Sequence, residues 1–286
     1  MAKFNELQPG RAAREQKYRR FKAIPVRVLA PNLITLLALC SGVTAIRMAT
    51  EERYELAVAA IIFAIVLDAL DGRVARLLKG TSRFGAELDS LADFVNFGVA
   101  PAMVIYLWSL QTLKSFGWIV CLVLAICCAA RLARFNVELD DPDKPAWKAG
   151  FFTGVPAPAG AGLALLPMYL GFLGLIDGQS LAAAILLYTG FVGFLMVSSI
   201  PTFSGKSSGQ RIRRDLVLPL MLVTVLFVSL LVSYPWAMLT GLAVFYLASL
   251  PLGYWRHQKL AAQYELEEAL DSEGTPKVEA IEEKTD

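Results

Sequence analysis

The sequence predicts an all-α integral membrane protein of about eight transmembrane helices, with N- and C-termini in the cytoplasm. Three observations carry this. The 286 residues are 56% hydrophobic and 18% charged, with a mean hydropathy of +0.53, whereas soluble domains carry about 25% charged residues. The charges are clustered, which leaves uncharged runs of about 20 residues, the length that crosses a bilayer core. Basic residues also fall in every second connection between those runs, as the positive-inside rule requires.

The first 28 residues form a basic cytoplasmic segment, with Lys3, Arg11, Arg14, Lys17, Arg19, Arg20, Lys22 and Arg27. The apolar run that follows has full span length and no small-residue cleavage site, so it reads as a first span and not as a signal peptide. The basic segment either lies against anionic headgroups or serves only to fix topology. Candidate spans then cover residues 29–49, 55–79, 94–112, 116–135, 152–175, 181–200, 215–233 and 235–254. Together residues 29–255 make one transmembrane domain. The basic connections hold Arg73, Arg76, Lys79 and Arg83, then Arg131, Arg134, Lys144 and Lys148, then Lys206, Arg211, Arg213 and Arg214, then Arg256 and Lys259. The intervening connections carry few or no basic residues. Residues 256–286 read as a polar, mostly acidic cytoplasmic tail, either disordered or a solvated helix.

Cys40, Cys121, Cys127 and Cys128 all fall inside predicted spans with no metal-ligand spacing, so they read as small packing residues. The single histidine, His257, sits beside Arg256 just past the last span. A general base must therefore come from another residue type.

The densest chemical signal lies between two apolar runs. Asp68-x-x-Asp71-Gly72-x-x-Ala75-Arg76, eight residues, then Gly85-x-x-x-Asp89-x-x-x-Asp93 places four carboxylates at a bilayer edge. Asp68 and Asp71 are i, i+3 neighbours on one helix face, and Asp89 and Asp93 are i, i+4 neighbours on another. Gly80, Thr81 and Ser82 supply a break between the two helices, so a tight hairpin brings both acidic pairs together. Four clustered carboxylates call for a positive charge, and hard divalent cations such as Mg²⁺ or Mn²⁺ prefer oxygen donors together with substrate phosphates. Two such ions would form a clamp for displacement at phosphorus. Gly72 and Gly85 permit close approach of a ligand or a neighbouring helix. Taken singly, each aspartate could be a solvated acid offsetting Arg73, Arg76 or Arg83. Four on matching faces, with both glycines, Ala75 and Arg76, point to a built site.

The run DALDGRVARLLKGTSRFGAELDSLAD resembles the defining motif of the CDP-alcohol phosphotransferase family of membrane enzymes at all its fixed positions. The resemblance implies transfer of a phosphatidyl group from a CDP-linked lipid to an alcohol, with release of CMP. It further implies that Asp68, Asp71, Asp89 and Asp93 hold two divalent cations, that Asp93 is the base, and that Gly72, Arg76 and Ser82, with Gly85, lie on the CDP-lipid. The PNLIT run (residues 31–35) resembles the nucleotide-side motif of the family's first span, placing Asn32 and Thr35 on the CDP-lipid; capping of the first helix is the other reading of Asn32.

Four further runs, FGVAPA (97–102), CAARLARFNV (128–137), FTGVPAPAGAG (152–162) and LMVSSIPTFSGK (195–206), resemble the bacterial phosphatidylserine synthase branch. Asn96 stands where that branch more often carries serine. The resemblance spans roughly residues 30–215 and implies CDP-diacylglycerol and L-serine as substrates, membrane lipids as surroundings, a homodimer, and an inner-membrane location with the active site facing the cytoplasm. Nucleic acid is not an expected partner. Serine is a zwitterion whose carboxylate needs a cation. Arg131, Arg134 and Lys206 are the candidates, unless they only set topology. Phe135 and Asn136 either line the acceptor pocket or merely pack. Pro156 and Pro158 shape the entry to the fifth span. Rival readings are a sister enzyme taking glycerol 3-phosphate or inositol phosphate, an ion-coupled transporter, and a membrane scaffold. Transporters tend to carry inverted repeats and midplane sites, and neither is visible here.

Overall fold

A computed structural model describes residues 26–139, 151–203 and 217–274. Among these the chain is a bundle of helices with one short ribbon: α1 (Val26–Thr50), α2 (Tyr54–Leu77), α3 (Arg83–Asp93), α4 (Ala100–Trp108), α5 (Ser115–Leu139), β1 (Phe151–Thr153), α6 (Ala157–Ala164), α7 (Leu166–Phe172), α8 (Ala182–Val197), β2 (Pro201–Phe203), α9 (Val217–Ser233) and α10 (Pro235–Gly274). Four helical stretches, Arg27–Thr50, Arg83–Trp108, Ser115–Glu138 and Pro235–Arg256, are long and apolar enough to cross a membrane, and three more apolar helices are shorter. The chain is a multi-pass, all-α membrane protein. Helix α2 is as long as a span but carries Asp68, Asp71, Arg73 and Arg76 toward its C-terminal end.

Helices α1 and α2 form the most extensively packed pair. Ala38, Ala45 and Ala49 of α1 and Ala57, Val58, Ile61 and Ala64 of α2 are buried, and such small side chains let helix backbones approach closely in lipid. The Ser41 hydroxyl donates across the pair to the Ala60 carbonyl at 2.7 Å. The turn between them closes with Glu52 in the left-handed region (φ 60°) and the Arg53 N–H on the Met48 carbonyl at 2.9 Å, a Schellman-type stop.

The third span is one rod from Arg83 to Trp108, starting well before the apolar run. Between α3 and α4 it widens into a π-helical stretch, Phe94–Val99, where the Ala100 N–H reaches back to Val95. Pro101 explains the widening. It has no N–H to give the preceding turn, and its ring would clash with the carbonyl four residues back. Proline also splits the fifth span, expected as one helix over 152–175. Pro167 cannot donate to the Leu163 carbonyl, and the Tyr188 hydroxyl takes that acceptor instead at 2.9 Å. Pro156 and Pro158 stand at the N-terminus of α6, as expected of helix-entry prolines.

Strands β1 and β2 pair antiparallel, Phe151 with Phe203 and Thr153 with Pro201. They tether the start of α6 to the end of α8, a non-local pairing that no run in the sequence announces. Buried side chains of α5, α6, α7 and α8 complete the core around Phe97, Leu124, Met168 and Met196. Helix α9 is exposed along residues 217–230, which suits a helix apolar all round with lipid as its solvent. All four cysteines are free, with Cys121 and Cys128 buried. Asp177, in the connection before α8, accepts from the hydroxyl and N–H of Ser180, and these bonds hold its carboxyl below the usual carboxylate range.

Candidate metal and nucleotide site

The two acid-bearing helices meet because the link between them is tightly built. Lys79 adopts the left-handed region (φ 50°), and the Gly80 N–H caps the Ala75 carbonyl at 3.0 Å. Gly80 is buried against α1, where a Cβ would lie 2.0 Å from the Arg27 carbonyl oxygen, so no larger residue fits. Ser82 then caps α3, its hydroxyl oxygen accepting from the Gly85 N–H at 3.0 Å.

This hairpin puts ligand oxygens of Asp68, Asp71 and Asp89 within 4.8 Å of one another. Asp93 joins the group from the next turn of α3, its carboxyl in hydrogen-bond contact with that of Asp68. Asp71 is buried; Asp68, Asp89 and Asp93 are half-buried. All four predicted acids therefore converge, three within reach of one shared ion and the fourth beside them. Two like charges about 4 Å apart repel by about 4 kcal/mol at an effective dielectric near 20. An all-carboxylate donor set of this kind fits a hard divalent cation.

A cleft of about 430 Å³ opens directly onto the cluster. Asn32 and Thr35 of α1, Gly72 and Arg76 of α2, Ser82 of the link and Gly85 of α3 all line it, with Asp71 and Asp89. Every residue expected on the nucleotide side thus faces one cavity. The Arg76 Nε donates to the Gly72 carbonyl at 3.1 Å, which holds a cation at the cleft wall. A Cβ on Gly72 would meet nothing within 4 Å, so packing within the chain does not demand that glycine. Gly85 is different, because a Cβ there would lie 2.7 Å from the Asn32 Oδ1 and 3.1 Å from the Ser82 Oγ. Gly85→Ala is expected to displace Asn32 and narrow the cleft without unfolding the bundle, since the amide can rotate away. Steady-state kinetics should then show catalytic efficiency falling about tenfold, or about 1.4 kcal/mol, mainly through weaker capture of the nucleotide-bearing substrate.

The acceptor candidates separate. Arg131 is 6% exposed, lies over the Phe135 ring at 5.0 Å and is within electrostatic reach of Asp93 and Tyr246. Its Nε finds no hydrogen-bond partner among the described residues. Arg134 instead donates to the Val197 carbonyl at 2.8 Å and reaches Ser198, a cation on the C-terminus of α8. The Asn136 amide donates to the Ser90 hydroxyl at 3.0 Å and ties α5 to α3. Lys206 lies outside the described residues.

Three contacts emerge only from the fold. The Thr35 hydroxyl is 2.6 Å from Asp71 Oδ2. The fully buried Asn96 side chain sits one turn past Asp93, pressed against Gly42, where a Cβ would lie 2.1 Å from its oxygen. Tyr246 of α10 lies within electrostatic reach of Arg131. Asn96, a lone amide in an apolar run, stands out in the sequence, but its packing against Gly42 does not.

Comparison with known proteins agrees with the geometry. Residues 28–197 match the family described as CDP-alcohol phosphatidyltransferase, and residues 215–251 match that described as CDP-alcohol phosphatidyltransferase 2. A protein of Mycobacterium tuberculosis named CDP-diacylglycerol–serine O-phosphatidyltransferase is 38% identical over 252 residues, covering 87% of this chain and 85% of that one. A Mycobacterium leprae protein of the same name is 49% identical over 154 residues, covering 52% and 51%. One from Helicobacter pylori is 35% identical over 223 residues, covering 76% and 86%. The match spans most of the chain and includes the acidic hairpin and its cleft, so the chain belongs to the CDP-alcohol phosphatidyltransferase family.

Proposed function

We propose that the chain transfers the phosphatidyl group of CDP-diacylglycerol to the hydroxyl of L-serine, giving phosphatidylserine and CMP. The observation that carries this reading is the junction of the aspartate cluster with a cleft lined by Asn32, Gly72, Arg76, Ser82 and Gly85. The relatives named above bring the acceptor, serine.

Asp68, Asp71, Asp89 and Asp93 would hold two divalent cations, Mg²⁺ or Mn²⁺, which supply positive charge to the pyrophosphate and to the departing CMP. Asn32, Ser82 and Arg76 line the space for the nucleotide and its phosphates, with Arg76 offering a guanidinium to developing negative charge. Gly72 and Gly85 leave room for close approach. Arg131, buried within electrostatic reach of Asp93 and with an unspent Nε donor, receives the serine carboxylate and so turns the serine hydroxyl toward Asp93. An Asp93 carboxylate oxygen takes the hydroxyl proton. The serine oxygen forms its bond to the phosphorus that bears diacylglycerol, and the bond from that phosphorus to the bridging oxygen breaks, so CMP leaves with the electron pair. Direct displacement needs no covalent intermediate and is the simpler course.

The alternation of basic connections supports a cytoplasmic active site in the inner membrane, with residues 1–28 and 256–286 on the same side of domain 29–255. By family resemblance the working unit is a homodimer. Purified protein in detergent, given CDP-diacylglycerol and in turn serine, glycerol 3-phosphate or inositol phosphate, tests the assignment. Phosphatidylserine and CMP in equal amounts are expected with serine. Turnover with one of the other alcohols and none with serine would move the chain to a sister activity. CMP release that needs no alcohol would remove the displacement mechanism.

A further inference from the structure

We infer that Thr35 is a positioning residue for the metal centre and not a contact for the nucleotide. This inference rests on the reading of the acidic cluster given above and refines it. The Thr35 hydroxyl has one proton and stands between two acceptors, Asp71 Oδ2 at 2.6 Å and the Pro31 carbonyl at 3.1 Å. The shorter bond is to the carboxylate, and both residues are 5% exposed. A donor held this way in a low-dielectric setting is spent on its partner. It fixes the rotation of the Asp71 carboxyl and occupies one oxygen, so the other is left to turn toward an ion.

The position in the fold strengthens the argument. Thr35 lies one turn beyond Asn32 on α1, and Asn32 sits against Gly85 on α3. One stretch of α1 therefore touches both acid-bearing helices: α2 through the hydroxyl on Asp71, and α3 through the amide over Gly85. The residue type follows from this. The position needs a short side chain with a hydroxyl donor. Donation to a nucleotide oxygen would instead require that proton to face the cleft unspent.

The test uses the full-length protein in detergent with Mn²⁺ alone, following free Mn²⁺ by electron paramagnetic resonance, with no substrate present. Thr35→Val keeps the shape and removes the donor. Its Mn²⁺ affinity is expected to fall about 10- to 100-fold, the usual loss when a hydrogen-bond partner of a metal ligand is removed. The KM for CDP-diacylglycerol at saturating metal should stay within about twofold of wild type. Thr35→Ser should restore Mn²⁺ binding. Thr35→Cys, a weak donor, should fall between, and it keeps the series informative if the valine variant does not elute as a monodisperse species. Wild-type Mn²⁺ affinity in Thr35→Val or Thr35→Cys, with weakened CDP-diacylglycerol capture, would overturn this inference and leave the metal site standing. A wild-type protein that binds no Mn²⁺ would overturn both.

Discussion

Asp93→Asn is expected to lower turnover by about 10³-fold, within the range of about 10²–10⁴ that a positioned general base contributes. The substitution keeps the shape of the side chain and removes the ability to accept a proton. Asp93 is in carboxyl-to-carboxyl contact with Asp68, so the neutral amide also removes a like charge from a crowded cluster. Function and stability should therefore move in opposite directions. The variant should insert normally, retain CMP binding and melt at the same temperature as wild type or higher, while CMP release in the presence of serine nearly disappears. A purely structural acid would behave otherwise: its replacement would lower the melting temperature and turnover together. Turnover within about tenfold of wild type would remove Asp93 from the role of base.

Arg131→Met is expected to raise the KM for serine by about 100-fold, with the KM for CDP-diacylglycerol unchanged. A hydrogen bond to a charged group is worth about 1.5–3 kcal/mol, and about 2.7 kcal/mol corresponds to that factor. Methionine keeps an unbranched apolar stem of similar reach but removes the guanidinium that lies over Phe135, and with it the charge and its donors. Lysine should recover part of the loss, since it restores the charge but not the forked donor geometry. Arg134 provides the internal control. Its guanidinium is engaged by carbonyls at the end of α8, so Arg134→Met should cost stability and leave the serine KM nearly unmoved. Equal effects of the two substitutions on serine would mean that the acceptor pocket extends across both arginines.

The sequence made the acidic hairpin legible because its information is local. Asp68 with Asp71 and Asp89 with Asp93 share faces by helical spacing alone, and Gly80 to Ser82 announce the turn. The fate of the third and fifth spans was harder to read. Pro101 and Pro167 were visible, but whether a proline widens a helix or breaks it depends on which neighbour takes the freed carbonyl. For Pro167 that neighbour is Tyr188, more than twenty residues away. The same limit applies to Thr35. Its place in the PNLIT run put it on the nucleotide side by resemblance, and nothing local announced that its hydroxyl bonds a residue 36 positions along the chain. Arg131 and Arg134, equal in sequence terms, are separated only by what surrounds them after folding: one is buried near Asp93, the other caps a helix. Asn96 shows the reverse case, a polar residue plain in the sequence whose packing against Gly42 emerges only from the fold.

The measurement closest to the central claim is metal dependence in purified protein. CMP release from CDP-diacylglycerol and serine should fall to background in excess chelator, return on adding Mn²⁺ or Mg²⁺, and track the filling of two sites per chain. Full turnover with every divalent ion removed would contradict the account, because the four aspartates would then hold no cation that the reaction uses.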